Sequence, residues 1–117
     1  MDLRLDKAER DGFAVLEVAG EVDVATAPRL RQQLVETASS GRDTLIVDLS
    51  DVEFLDSTGL GVLVSGLKRF RTLGGDLVVV GTRPRILKVF EITGLTTVFG
   101  MYDTVDDAVA ALNKPSG

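Results

Sequence analysis

The sequence predicts an α/β fold: one domain built on a mixed, mostly parallel sheet with crossover helices and an N-terminal β-hairpin. Three observations predict it. Thr44 to Leu49 (TLIVDL) and Leu77 to Val80 (LVVV) are apolar runs with little alternation, as central strands covered on both faces are. Between them, Ser57 to Leu73 carries Leu60, Leu63, Val64, Leu67 and Phe70 on one helical face, the pattern of a crossover helix. At the start of the chain, two strand-like segments flank the turn signal Asp11-Gly12. Strands alternating with helices imply parallel pairing through right-handed connections.

The hairpin is expected over Leu3 to Glu9 and Phe13 to Ala19, with Gly20 ending it. Phe13 and Val15, with Glu17, point to one face, and Ala14, Leu16 and Val18 to the other. Ala25 to Ser39 follows as a helix. Pro28 stands in its first turn, where a missing N–H does no harm. Ala27, Leu30, Leu34 and Ala38 form its apolar stripe, and Gly41 is its stop. The strand from Thr44 is expected to end at Leu49. A loop with Asp51, Glu53 and Asp56 then leads to Ser57. Arg83 to Thr93 is a further helix, with Pro84 near its start and Gly94-Leu95 as its cap. Thr97 to Phe99 is a candidate last strand. Asp103 to Leu112 is the closing helix, capped by Asp103 and favoured by Asp106 near its positive end. Residues 1–117 form a single domain with an ordered core of about 3–112, and Asn113 to Gly117 should fray.

Composition narrows the function. The chain of 117 residues carries a net charge of -5, which disfavours phosphate backbones and points to a basic protein surface as partner rather than to nucleic acid. It has neither Cys nor His. Disulfides, thiolate metal sites, Cys nucleophiles and the commonest general base are therefore absent. No P-loop, GxSxG, HExxH or dinucleotide-binding glycine pattern is present, so the chain reads as no enzyme and as needing no cofactor. The charged N-terminal segment is no signal peptide, and the apolar stretches are too short to span a bilayer. A cytoplasmic protein without membrane contact is expected.

The informative segment is Asp48 to Lys68, DLSDVEFLDSTGLGVLVSGLK. Ser57 is placed at a helix N-terminus, where it has two readings. It can cap the helix, its hydroxyl accepting from an N–H two or three residues on. It can also be phosphorylated, since a phosphate there meets free N–H groups and the positive end of the helix dipole. Gly59 and Gly61 weaken the first turns by about 1 kcal/mol each relative to Ala, so a neighbouring backbone or a partner must come close. The second segment, Gly20 to Pro28 (GEVDVATAP), should lie beside Ser57, because parallel strand ends gather on one side. Its Asp23 either caps the first helix, contacts a partner, or orients the Ser57 hydroxyl. Asp48, Asp51, Glu53 and Asp56 read as solvated carboxylates rather than as a Mg²⁺ site.

These segments resemble the STAS family, specifically the bacterial anti-sigma factor antagonists. The resemblance rests on Gly20-Glu21-Val22-Asp23 with Thr26-Ala27-Pro28, on Phe54-Leu55-Asp56-Ser57-Thr58-Gly59-Leu60-Gly61-Val62-Leu63, and on Ile86 to Leu95 (ILKVFEITGL). The runs DSTGLGVLVSGLKR and ITGL look most like actinobacterial members. The resemblance implies the STAS fold and a partner-switching cycle. In that cycle the unphosphorylated antagonist binds an anti-sigma factor with serine kinase activity and frees the sigma factor. Phosphorylation breaks the complex, and a PP2C-type phosphatase resets it. Carried onto this chain, the resemblance makes Ser57 the phosphoacceptor. Asp23, Asp56, Thr58, Gly59, Gly61 and Val62 become the partner-binding residues, and the ATP and Mg²⁺ belong to the kinase. The alternative within the family is a module that binds a nucleotide or lipid, or that serves a transporter or a stress-sensing assembly.

Overall fold

Alternation in the first strands sets the two faces of the sheet. In the computed structural model, which describes residues 2–114, β1 (Leu3–Arg10) and β2 (Phe13–Val22) pair antiparallel across a turn in which Asp11 and Gly12 both take positive φ. Leu16 and Val18 enter the larger core and Val15 the smaller one, as their alternation predicts. The chain then runs through α1 (Ala27–Ser39), β3 (Thr44–Leu55), α2 (Ser57–Thr72), β4 (Asp76–Val80), α3 (Pro84–Ile92), β5 (Gly100–Tyr102) and α4 (Val105–Leu112). The sheet has five strands in the order β1-β2-β3-β4-β5, and every pair after the hairpin is parallel.

That order dictates the layering. Successive right-handed crossovers that step in one direction put their helices on one face. Accordingly α1, α2 and α3 cover one side, where Leu30, Leu34, Leu63, Leu67, Phe70, Ile86 and Phe90 meet Leu16, Val18, Leu45, Val47, Leu77 and Val79. The other side has only α4, whose Ala108 and Val109 pack on Val15, Ile46, Val78 and Val80. Beyond Val15 the second face of β1 and β2 is left open, and it carries Arg4, Asp6 and Glu17 beside Asp48 and Asp51 of β3.

Four expectations change. Gly20 does not end β2. It sits inside the strand with φ 99°, where a Cβ would lie 2.1 Å from the Asp2 carbonyl oxygen, and the strand continues to Val22. β3 does not end at Leu49 but runs to Leu55, so Asp51 and Glu53 are strand residues. Thr97 to Phe99 is not a strand. Gly94 takes a left-handed φ of 72° and opens a 3₁₀ turn over Leu95–Thr97, and the last strand begins only at Gly100. Phe99 tucks inward instead, edge-to-face on Phe90 with ring centroids 5.6 Å apart. Finally, Thr104 rather than Asp103 caps α4, accepting from the Asp107 N–H at 3.0 Å. The frayed C-terminus expected from Asn113 onward lies partly outside the described residues, since positions 115–117 are not among them.

Candidate functional site at the N-terminus of the second helix

Two strand ends meet under the first turn of α2. β2 and β3 pair up to Val22 opposite Leu55, and the Asp56 N–H donates to the Val22 carbonyl at 3.1 Å. This closes the Gly20–Pro28 segment onto the Ser57 segment, the proximity expected from parallel strand ends.

Asp56, not Ser57, caps the helix. Its backbone is extended (φ -99°, ψ -177°), its Oδ1 accepts from the Gly59 N–H at 3.0 Å, and its carbonyl accepts from Leu60 at 3.0 Å. A carboxylate is among the best caps, and its charge favours the positive helix end. The capping reading of Ser57 is therefore corrected. Ser57 is the first helical residue and is exposed, and among the described residues its hydroxyl has no hydrogen bond within the protein. Thr58 beside it is exposed too.

The two glycines separate. Gly59 is buried, and a Cβ there would stand 2.5 Å from Val22 Cγ1 and 2.7 Å from Leu55 Cδ1. The close approach inferred for Gly59 thus comes from the protein's own core. Gly61 is exposed, with nothing within 4 Å of its Cβ position. Val62 also faces inward, at 4% exposure. The outward surface of this turn is therefore Ser57, Thr58 and Gly61.

Asp23 turns into its own loop. Its Oδ1 accepts from the N–H groups of Ala25 (2.9 Å) and Thr26 (3.0 Å) and from the Thr26 hydroxyl (3.2 Å). The Thr26 N–H, the largest influence, holds the Asp23 carboxyl below its ordinary range against the loss of hydration, which comes next, with further help from the Ala25 N–H and the Thr26 hydroxyl. Asp23 thus serves the turn that leads into α1, and its Oδ1 does not reach for Ser57. Thr26 ties this loop together, a role that its family match alone does not reveal. It is 7% exposed, donates to the Glu21 carbonyl at 2.9 Å and accepts from the Asp23 N–H at 2.9 Å. The Asp-x-x-Thr spacing is the sequence signal that could have found it. This cross-bonded loop holds Val24 outward, 72% exposed.

The STAS domain model matches residues 4–108. The chain belongs to the STAS family. Its STAS relatives include a Bacillus subtilis anti-sigma-B factor antagonist, 39% identical over 98 residues that span 84% of this chain and 89% of the relative. A Staphylococcus aureus anti-sigma-B factor antagonist is 38% identical over 81% of this chain and 88% of its own length. Among solved STAS structures, an anti-sigma factor antagonist from Mycobacterium paratuberculosis superposes with a TM-score of 0.89 at 34% identity, covering 97% of this chain and 96% of that one. Among the described residues no helix is long and apolar enough to cross a membrane.

Proposed function

We propose that this STAS protein is an anti-sigma factor antagonist whose binding is switched off by phosphorylation of Ser57. The observation that carries the reading is the freedom of Ser57: Asp56 does the capping, so the hydroxyl at the helix end is exposed and unused. The names and identities of the relatives support the antagonist role. The partner in this reading is an anti-sigma factor with serine kinase activity, and a PP2C-type phosphatase restores the free hydroxyl.

The physics of the switch is simple. A phosphate adds about -1.5 to -2 charges. At a helix N-terminus the protein's own dipole tolerates it, so the fold survives. A packed interface does not, because an unpaired dianion must lose its water at a cost of several kcal/mol. A penalty of about 3–4 kcal/mol weakens binding several hundred-fold. Ser57, Thr58 and Gly61 form a surface of small groups on which a partner would sit close.

The test is affinity capture from source-cell lysate with wild type, Ser57→Ala and Ser57→Asp as baits, followed by titration of the purified partner. The expected result is a kinase-type anti-sigma factor on the first two baits and a loss of at least a hundred-fold in affinity for the third. Equal recovery on all three baits would remove Ser57 from the switch.

A further inference from the structure

Charge is divided unequally over this molecule. Helices α1, α2 and α3 contain seven cations (Arg29, Arg31, Lys68, Arg69, Arg71, Arg85, Lys88) against two carboxylates (Glu36, Glu91), on a chain whose net charge is -5. The excess of carboxylates therefore lies elsewhere, on the strands, the loops and α4. Of the helix charges, Arg71 pairs with Asp76 and Glu36 with Lys7. Arg31, Lys68 and Arg69 are exposed and, among the described residues, engage in no ion pair.

These three cations belong to one surface. Arg31 of α1 and Arg69 of α2 border the same shallow groove, together with Val35 and Ser65. The helices close on one another there because Gly66 has no side chain: a Cβ would stand 2.7 Å from Leu34 Cδ1. Along α2, Ser57, Gly61, Ser65, Lys68, Arg69 and Thr72 follow helical spacing and share one outward face. Lys68 lies about 16 Å along the axis from Ser57, at 1.5 Å per residue. One standard protein interface, at about 800 Å² per partner, spans both.

We infer that the α1–α2 strip of Arg31, Lys68 and Arg69 docks an acidic patch on the same anti-sigma factor that covers Ser57, and that it steers their association. This rests on the reading of Ser57 proposed above. A protein surface fits better than the other polyanions. The strip has no exposed aromatic ring for stacking on bases, the exposed Leu73 one turn beyond Arg69 is too little apolar surface to hold a bilayer, and the whole chain repels extended phosphate arrays. Whole-chain charge predicts a basic partner surface, but along α2 the complementary surface is acidic. Such complementarity acts mainly on the association rate and fades with salt.

The test is stopped-flow or surface-resonance kinetics against the purified anti-sigma factor recovered on the Ser57→Ala bait, at low and physiological salt. Lys68→Glu/Arg69→Glu should slow association about tenfold or more at low salt and flatten its salt dependence. Arg4→Glu/Arg10→Glu on β1 changes net charge equally and should act far less. Ser57→Asp, run in parallel, reports on the switch itself. If Ser57→Asp abolishes binding while the α2 reversal behaves like the β1 reversal, the strip is overturned and the switch stands. If Ser57→Asp binds like wild type, the switch reading falls and this inference falls with it. If the α2 reversal leaves partner kinetics unchanged but removes binding to phosphatidylglycerol vesicles, the strip is a membrane contact and the inference is overturned.

Discussion

Gly59 and Gly61 stand two residues apart on α2, and the sequence gives no reason to treat them differently. The structure does. Gly59 points down onto Val22 and Leu55, where a methyl group has no room, whereas Gly61 points out, where a methyl group meets nothing. One glycine is demanded by the core. The other relieves no contact inside the protein, and it lowers helix propensity where Ala would raise it. A residue that weakens its own helix without a structural return is placed where something outside the chain would set the requirement.

The largest effect that can break this comparison comes from Gly59→Ala. The added Cβ forces Val22 and Leu55 to shift, an overpacking cost of about 1–3 kcal/mol, reduced by the better helix propensity of Ala. Thermal unfolding should shift down by roughly 4–8 °C for each kcal/mol that remains. A variant as stable as wild type would show that α2 can lift off the strand ends, and Gly59 would lose its assigned cause.

Gly61→Ala should do the reverse. Stability should rise by up to about 1 kcal/mol, while affinity for the anti-sigma factor falls about tenfold if the partner packs against this turn. Urea unfolding and titration of the same preparation separate the two quantities. A gain in stability with unchanged affinity would place the partner's contact away from Gly61.

How much of this was legible depends on what the pattern could carry. The hairpin was readable because the Asp11-Gly12 turn separates two strands, and in the second of them alternate residues meet different surroundings, Leu16 and Val18 the larger core and Val15 the smaller one. α2 was readable because its apolar positions recur at helical spacing over four turns. The extension of β3 was not. Its pairing with β2 shifts between Glu17 and Ala19 and again between Gly20 and Glu21, each time with an extra residue on β3. Buried Leu49, Val52 and Leu55 therefore fall three apart, with Ser50 and Asp51, then Glu53 and the exposed Phe54, between them. A strand with two such irregularities has no period of two left to read.

The cap of α2 is illegible in the sequence for a different reason. Asp56 and Ser57 are both good capping residues, and sequence alone does not rank neighbours. What decides is the Asp56 N–H bond to Val22, which keeps Asp56 in the extended conformation at the strand end and makes Ser57 the first helical residue. That bond crosses between segments far apart in sequence. The same holds for the charged strip: Arg31 and Arg69 come together only once Gly66 lets α1 and α2 close.

The smallest effect concerns the loop beside Ser57, and it distinguishes an internal carboxylate from a partner-facing one. The Asp23 carboxyl is held below its ordinary value of 3.8, chiefly by the Thr26 N–H. A depressed folded-state pKa means that the charge stabilises the native state above the unfolded pKa, and that this stabilisation is lost as pH falls through the folded one. Asp23→Asn keeps an acceptor for the same N–H groups but removes the charge. Wild type should therefore exceed Asp23→Asn slightly in urea midpoint at pH 7, and the gap should close as pH falls below 3.8 and through the lowered folded-state value. A gap that persists unchanged into acid would mean that the carboxylate charge does nothing for the turn. Asp23 would then be free to act on a partner, which its present hydrogen bonds to Ala25 and Thr26 argue against.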